Sequence, residues 1–115
     1  SDPEWQALFG EDSLAEVPFS AVVGGQVIAG NVDRLLFDGD RIRIVDFKTS
    51  RRPPHSLREV PVATLRQMAA YAAALCVIYP EHNVDAALLY TATPQMIVLP
   101  ADVLEHHKPN LLASE

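Results

Sequence analysis

A single cysteine, Cys76, is present, so no disulfide can form within the chain. That suits a reducing compartment, and the cytoplasm is the expected location. Cys76 lies in AAALCVIY and reads as a small buried apolar residue rather than a catalytic thiol. No apolar run approaches the ~20 residues of a bilayer-spanning helix, so no membrane partner is expected. The opening SDPEWQALFG is acidic, lacks a basic n-region and does not read as a signal peptide. There is no Gly-rich phosphate loop and no Ser/His/Asp or Cys/His arrangement, which removes the usual support for a small-molecule enzyme. The histidines, His55, His82, His106 and His107, form no ligand cluster by spacing. His55 follows a diproline loop and is placed to meet phosphate, whereas His106 and His107 read as solvated tail residues. Residues 1–32 contain no Lys or Arg at all.

The 115 residues are 49% hydrophobic, enough for one compact domain spanning 1–115. Net charge is −6, which taken alone disfavours nucleic acid. Its distribution is uneven: eight of the nine Lys and Arg lie within residues 33–66. Such asymmetry builds either a local anion-binding surface or an ordinary solvated face, and charge alone leaves both open.

The chain predicts a short helix over SDPEWQALFG, with Trp5 packing it on a sheet. Three strands follow, over Glu16–Val23, Gln26–Phe37 and Arg41–Lys48, with Gly24-Gly25 as the first turn. SRRPPHSLREVP reads as a loop, because its prolines forbid regular structure. VATLRQMAAYAAALCVIY is the clearest helix, ended by Pro80, with a stripe through Leu65, Ala69, Ala72, Cys76 and Tyr79. VDAALLYTAT and PQMIVLP predict two more strands, with a turn near Thr93-Pro94. A short helix from Asp102, stopped by Pro109, closes the chain. The order αβββαββ predicts an α/β fold, a helix on a mixed, largely antiparallel sheet.

IVDFKTS puts Asp46 and Lys48 on one strand face with Ile44. A terminal salt bridge and half of a hydrolytic metal site both explain this. The hairpin FDGDRI narrows the choice. A two-residue type II′ loop at Gly39-Asp40 pairs Asp38 with Arg41 and, counted back, Asp33 with Asp46. A loop at Asp38-Gly39 instead sets Asp33 across from Ile44, with Asp46 on the diagonal. Opposed carboxylates repel, and Leu35, Phe37, Ile42 and Ile44 make their surroundings apolar. A shared proton, nearby cations or a bound divalent metal relieves them. Lys48 supplies one cation and Arg34 is expected on the other face. The remaining negative charge suits Mg²⁺, with Mn²⁺ as its substitute. Two metal-holding aspartates and a lysine suffice for phosphodiester hydrolysis. On the helix, Gln67 and Tyr71 lie four apart on one face. Each alone reads as an ordinary surface or rim residue; together, facing a site, they suit a phosphate backbone or a stacked base.

The run GNVDRLLFDGDRIRIVDFKTSRRPP…LRQMAAYAAAL resembles the nuclease domain of AddA- and RecB-type helicase–nucleases, in the PD-(D/E)XK superfamily. The matching motifs are Gly30, Asp33 and Arg34, then Asp46 and Lys48, then Gln67 and Tyr71. AEVPF places Glu16 at the family's glutamate position. The resemblance covers roughly residues 14–100 and lies nearest the AddA subunit. It implies a restriction-endonuclease-like core, truncated at its N-terminus, as the C-terminal piece of a longer bacterial protein. It implies Mg²⁺ on Asp33, Asp46 and the Phe47 carbonyl, with Lys48 positioning the water. Gln67 and Tyr71 would organise the site, and Glu16 would assist indirectly. Arg34, Arg51, Arg52, Gln67 and Tyr71 would bind single-stranded DNA. An AddB-type subunit is the implied partner, in double-strand break repair. ATP would be used only by a helicase region, for which this sequence carries no motif. No histidine precedes His55, so the family's upstream histidine helix is either missing or outside this chain. A non-catalytic DNA-binding or docking module with the same fold is the competing expectation.

Overall fold

The computed structural model describes residues 13–108. The expected first helix, Trp5 and the stop at Pro109 lie outside them. Five strands form one sheet in the order β1-β2-β3-β4-β5. They are β1 (Ser13–Val23), β2 (Gln26–Asp38), β3 (Arg41–Lys48), β4 (Asn83–Tyr90) and β5 (Gln95–Leu99). Helix α1 (Val62–Ile78) joins β3 to β4, and α2 (Ala101–His107) follows β5. All neighbouring strands are antiparallel except β3 and β4, which are parallel. A parallel pair needs a long crossover, and α1 supplies it. The fold is the mixed α/β sheet with the restriction-endonuclease-like arrangement that the pattern predicts.

Both hairpins follow from their turn residues. Gly24 (φ 55°) and Gly25 (φ 86°) both take the left-handed conformation, as a type I′ turn requires. At the second turn Gly39 has φ 59° while Asp40 stays out of that region, the type II′ pattern. Asp38 therefore pairs with Arg41, and the register runs back through Leu35 with Ile44 to Arg34 with Val45.

Helix α1 begins after Pro61, whose carbonyl accepts from the amides of Thr64 and Leu65. The Tyr79 amide closes its far end on the Leu75 carbonyl, and Pro80 cannot extend it. Its inner side buries Leu65, Met68, Ala69, Ala72, Ala73, Ala74 and Leu75. All of these but Ala73 share one core with Leu35, Ile42, Ile44 and Leu88 of the sheet and with Leu104 of α2. Cys76 is exposed, contrary to expectation. The buried arc of α1 turns through four consecutive residues because α2 flanks the helix as well as the sheet, and it ends before Cys76. Strand β4 also stops at Tyr90, short of the expected Thr93, because residues 91–94 form the turn that pairs Tyr90 with Gln95. The 53–61 loop contains one 3₁₀ turn, Leu57–Glu59. Among the described residues, no helix is long and apolar enough to cross a membrane.

Candidate active site

The ladder between β2 and β3 ends at Arg34 and Val45, so β2 parts from β3 where Asp33 and Asp46 would have paired. The Asp33 side chain fills the gap: its Oδ2 accepts the Phe47 amide at 2.7 Å. A carboxylate here takes the place of a ladder carbonyl. In an extended strand the N–H and C=O of one residue leave on the same side. The Phe47 carbonyl therefore faces the Asp33 side too. Its side chain is exposed.

Asp46 shares the inner face of β3 with Ile42 and Ile44, beneath α1. Its Oδ2 lies 2.7 Å from Lys48 Nζ. That oxygen is buried and has no donor at hydrogen-bonding angles. The short distance carries the attraction all the same, since charge attraction depends on separation rather than angle. Burial raises the Asp46 pKa and the neighbouring Asp33 carboxylate raises it further, while the Lys48 ammonium beside it opposes both. Two carboxylates and one ammonium thus share a partly dry corner.

The first motif glycine has a mechanical reason. A Cβ on Gly30 would lie 2.5 Å from the Tyr71 hydroxyl oxygen and 2.6 Å from Cζ. The ring lies directly on Gly30 and meets Phe19, the cross-strand partner of Gly30, edge-on at 4.9 Å. The Tyr71 hydroxyl also accepts a long 3.5 Å contact from Gln67 Nε2. Nothing in the spacing pointed to Phe19; the pairing of β1 with β2 identifies it.

The other predicted residues are more scattered. Glu16 is exposed and adopts φ 52° in mid-strand. Among the described residues, no three His, Cys, Asp or Glu side chains gather to hold a metal, so Glu16 does not join the aspartates. Arg34 is half-buried and donates to Ser13 Oγ at 3.4 Å. Arg51 and Arg52 are exposed on the loop that leaves Lys48. The basic stretch is not one surface: Arg43 binds Asp85 through two hydrogen bonds, and Arg41 joins it at 3.1 Å. Both arginines sit at the hairpin end of β3, away from Lys48. His55 donates its amide to Glu59. His82 meets Phe37 and Tyr79 edge-on, while His107 and His106 lie on α2.

The donor set fits a hard divalent cation. It offers two carboxylates from adjacent strands, one of them with a buried oxygen, and a backbone carbonyl on the same side. No curated protein matches the chain. A solved structure titled "Crystal structure of SSO0001" shares the fold, with TM-score 0.51 and 17% identity over 89% of this chain. The chain spans about half of that structure's length, 52%. The family pattern described as the PD-(D/E)XK nuclease superfamily matches residues 3–110. Matched over almost its whole length, the chain belongs to the PD-(D/E)XK nuclease superfamily.

Proposed function

We propose that this domain is a Mg²⁺-dependent deoxyribonuclease that hydrolyses phosphodiester bonds of single-stranded DNA, acting as an exonuclease. One observation carries the reading: Asp33, Asp46 and Lys48 meet where β2 leaves β3, with Asp46 Oδ2 buried and 2.7 Å from the Lys48 ammonium. Asp33, Asp46 and the Phe47 carbonyl would hold the cation. When bound, Mg²⁺ supplies Lewis-acid stabilisation of charge on a phosphoryl oxygen. Lys48 orients the attacking water and offsets the negative charge that gathers on the phosphate. The water oxygen bonds to phosphorus as the ester P–O bond breaks. One water proton ends on the leaving oxygen, giving a hydroxyl end and a phosphomonoester end. Gln67 and Tyr71 hold the strand from the helix side, and Arg51 and Arg52 neutralise its phosphates.

The motif order supports a wider setting. This would be the nuclease part of an AddA-type helicase–nuclease, with an AddB-type partner, in bacterial cytoplasmic double-strand break repair. ATP would serve a helicase region outside this sequence. A second reading, a non-catalytic DNA-binding or docking module, is favoured by the small donor set. Only two carboxylates gather among the described residues.

End-labelled single-stranded DNA, incubated with the chain in Mg²⁺ or in chelator, separates the two. Cleavage should need the metal and fall by about 10²-fold or more in Asp46→Ala and Lys48→Ala. Salt-sensitive binding without cleavage would favour the second reading. Equal cleavage by wild type and Asp46→Ala removes the first.

A further inference from the structure

We infer that Glu16 is a positioning residue that acts through its backbone: its left-handed conformation breaks the pleat of the β1–β2 hairpin and turns Asp33 toward Asp46. This rests on the reading of Asp33 and Asp46 as the reactive pair. Glu16 is the one non-glycine residue with positive φ among those described. Such a conformation is unfavourable for glutamate and persists only where the surroundings enforce it. The position opposite Glu16 is Asp33. Ala15 pairs with Arg34 and Val17 with Val32, yet the pair between them is missing from the ladder. The register is the same on both sides, so one residue of each strand is left out.

The faces show what this does. Ile28 and Val32 point into the core beneath α1, and so do Leu35 and Phe37. Strict alternation from Val32 would put Leu35 and Phe37 on the opposite face, and Asp33 with them. Asp46 lies on the core face with Ile42 and Ile44. The slip of one place at Glu16 and Asp33 therefore puts both aspartates on one side and lets Asp33 reach the Phe47 amide. The Glu16 carboxylate is exposed, and it has no hydrogen bond or ion pair among the described residues. Its contribution lies in the φ angle rather than in its charge.

The test is amide hydrogen exchange at Phe47, followed by NMR on the full chain in chelator. Wild type is compared with Glu16→Gly, Glu16→Gln and Glu16→Val, and Asp33→Ala sets the rate with the acceptor removed. Glycine accepts positive φ freely, glutamine keeps the shape of glutamate without its charge, and valine resists the left-handed region. Phe47 exchange in the Gly and Gln variants should stay within about threefold of wild type. In Glu16→Val it should quicken by about tenfold or more, with the Arg43 and Leu89 amides unchanged. Glu16→Gly should also unfold at higher urea than wild type. That comparison still decides the matter if the valine variant fails to fold. Exchange as fast in both Gly and Gln variants as in Asp33→Ala overturns the inference. So does a valine variant that matches wild type at Phe47. A parallel Mn²⁺ titration of wild type tests the metal reading separately, because the Phe47 result does not depend on it.

Discussion

Replacing Gly30 with alanine puts a methyl carbon 2.5 Å from the Tyr71 hydroxyl oxygen and 2.6 Å from Cζ, where ordinary contact begins at 3.4 Å. Something must retreat by about 1 Å. The ring has little room, since its edge rests on Phe19 and its helix is packed on the sheet through Met68, Ala72 and Leu75. Overpacking of this kind costs about 1–3 kcal/mol. For a domain of this size that corresponds to roughly 4–20 °C in Tm. The backbone is not the obstacle, because Gly30 lies outside the left-handed region. Without the clash, alanine would stabilise the chain by about 0.4–1 kcal/mol through the unfolded state. The sign of the effect therefore reports the contact. Urea unfolding followed by circular dichroism, with Gly30→Ala made in wild type and in Tyr71→Leu, forms a double-mutant cycle. Gly30→Ala should destabilise wild type and be neutral or mildly stabilising in the Tyr71→Leu background, a coupling of about 1–3 kcal/mol. Gly30→Ala that stabilises wild type, or costs the same in both backgrounds, would refute the contact.

Burial raises the pKa of Asp46 above the ordinary 3.8, so its charged form is penalised in the folded chain. Stability from this group is present below the unfolded pKa and lost as pH rises through the folded one. Asp46→Asn should therefore unfold at higher urea than wild type in chelator at pH 7, with the gain vanishing below pH 3.8; a less stable variant at pH 7 contradicts the burial argument. With Mg²⁺ at a hundred times its Kd, wild type alone should gain about 2.7 kcal/mol. Arg43→Ala should cost about 1–2 kcal/mol, because a bidentate, part-buried pair with Asp85 is lost. Arg41→Ala should cost under about 0.5 kcal/mol, as its side chain is 58% exposed; equal losses would show that geometry does not separate them. Cys76, exposed on α1 but with its thiol pKa raised by local burial, should react with a disulfide reagent in the folded chain. The rate should be low at neutral pH and climb as the thiolate forms; a thiol that reacts only in urea would place it inside.

Much of the fold was legible because local chemistry and topology agree. Gly24-Gly25 and Gly39-Asp40 force the two turns, and the second sets the register of β2 on β3. Alanine and leucine mark α1, and the distance from Lys48 to Asn83 leaves room for a crossover. What stayed hidden depends on neighbours distant in sequence. The stripe drawn through Cys76 assumed one packing surface, whereas α2 adds another. Thr91 favours strands, yet the return of β5 onto β4 needs a turn there. Turn counting brought Asp33 near Asp46, but not the loss of the ladder between them. Nothing in AEVPF announces a glutamate at φ 52°, because glutamate resists that conformation and only the pairing on either side of it reveals the break.

The parallel seam between β3 and β4 bears on how the molecule comes into being. During synthesis the aspartates and Lys48 emerge on one local hairpin, able to form early. The aromatic lid over Gly30 arrives only when α1 has swung across and β4 has zipped alongside β3. A nascent chain cut before residue 62 would carry every charged group of the corner and none of its roof, so the groups would meet bulk water until the ribosome had delivered the crossover.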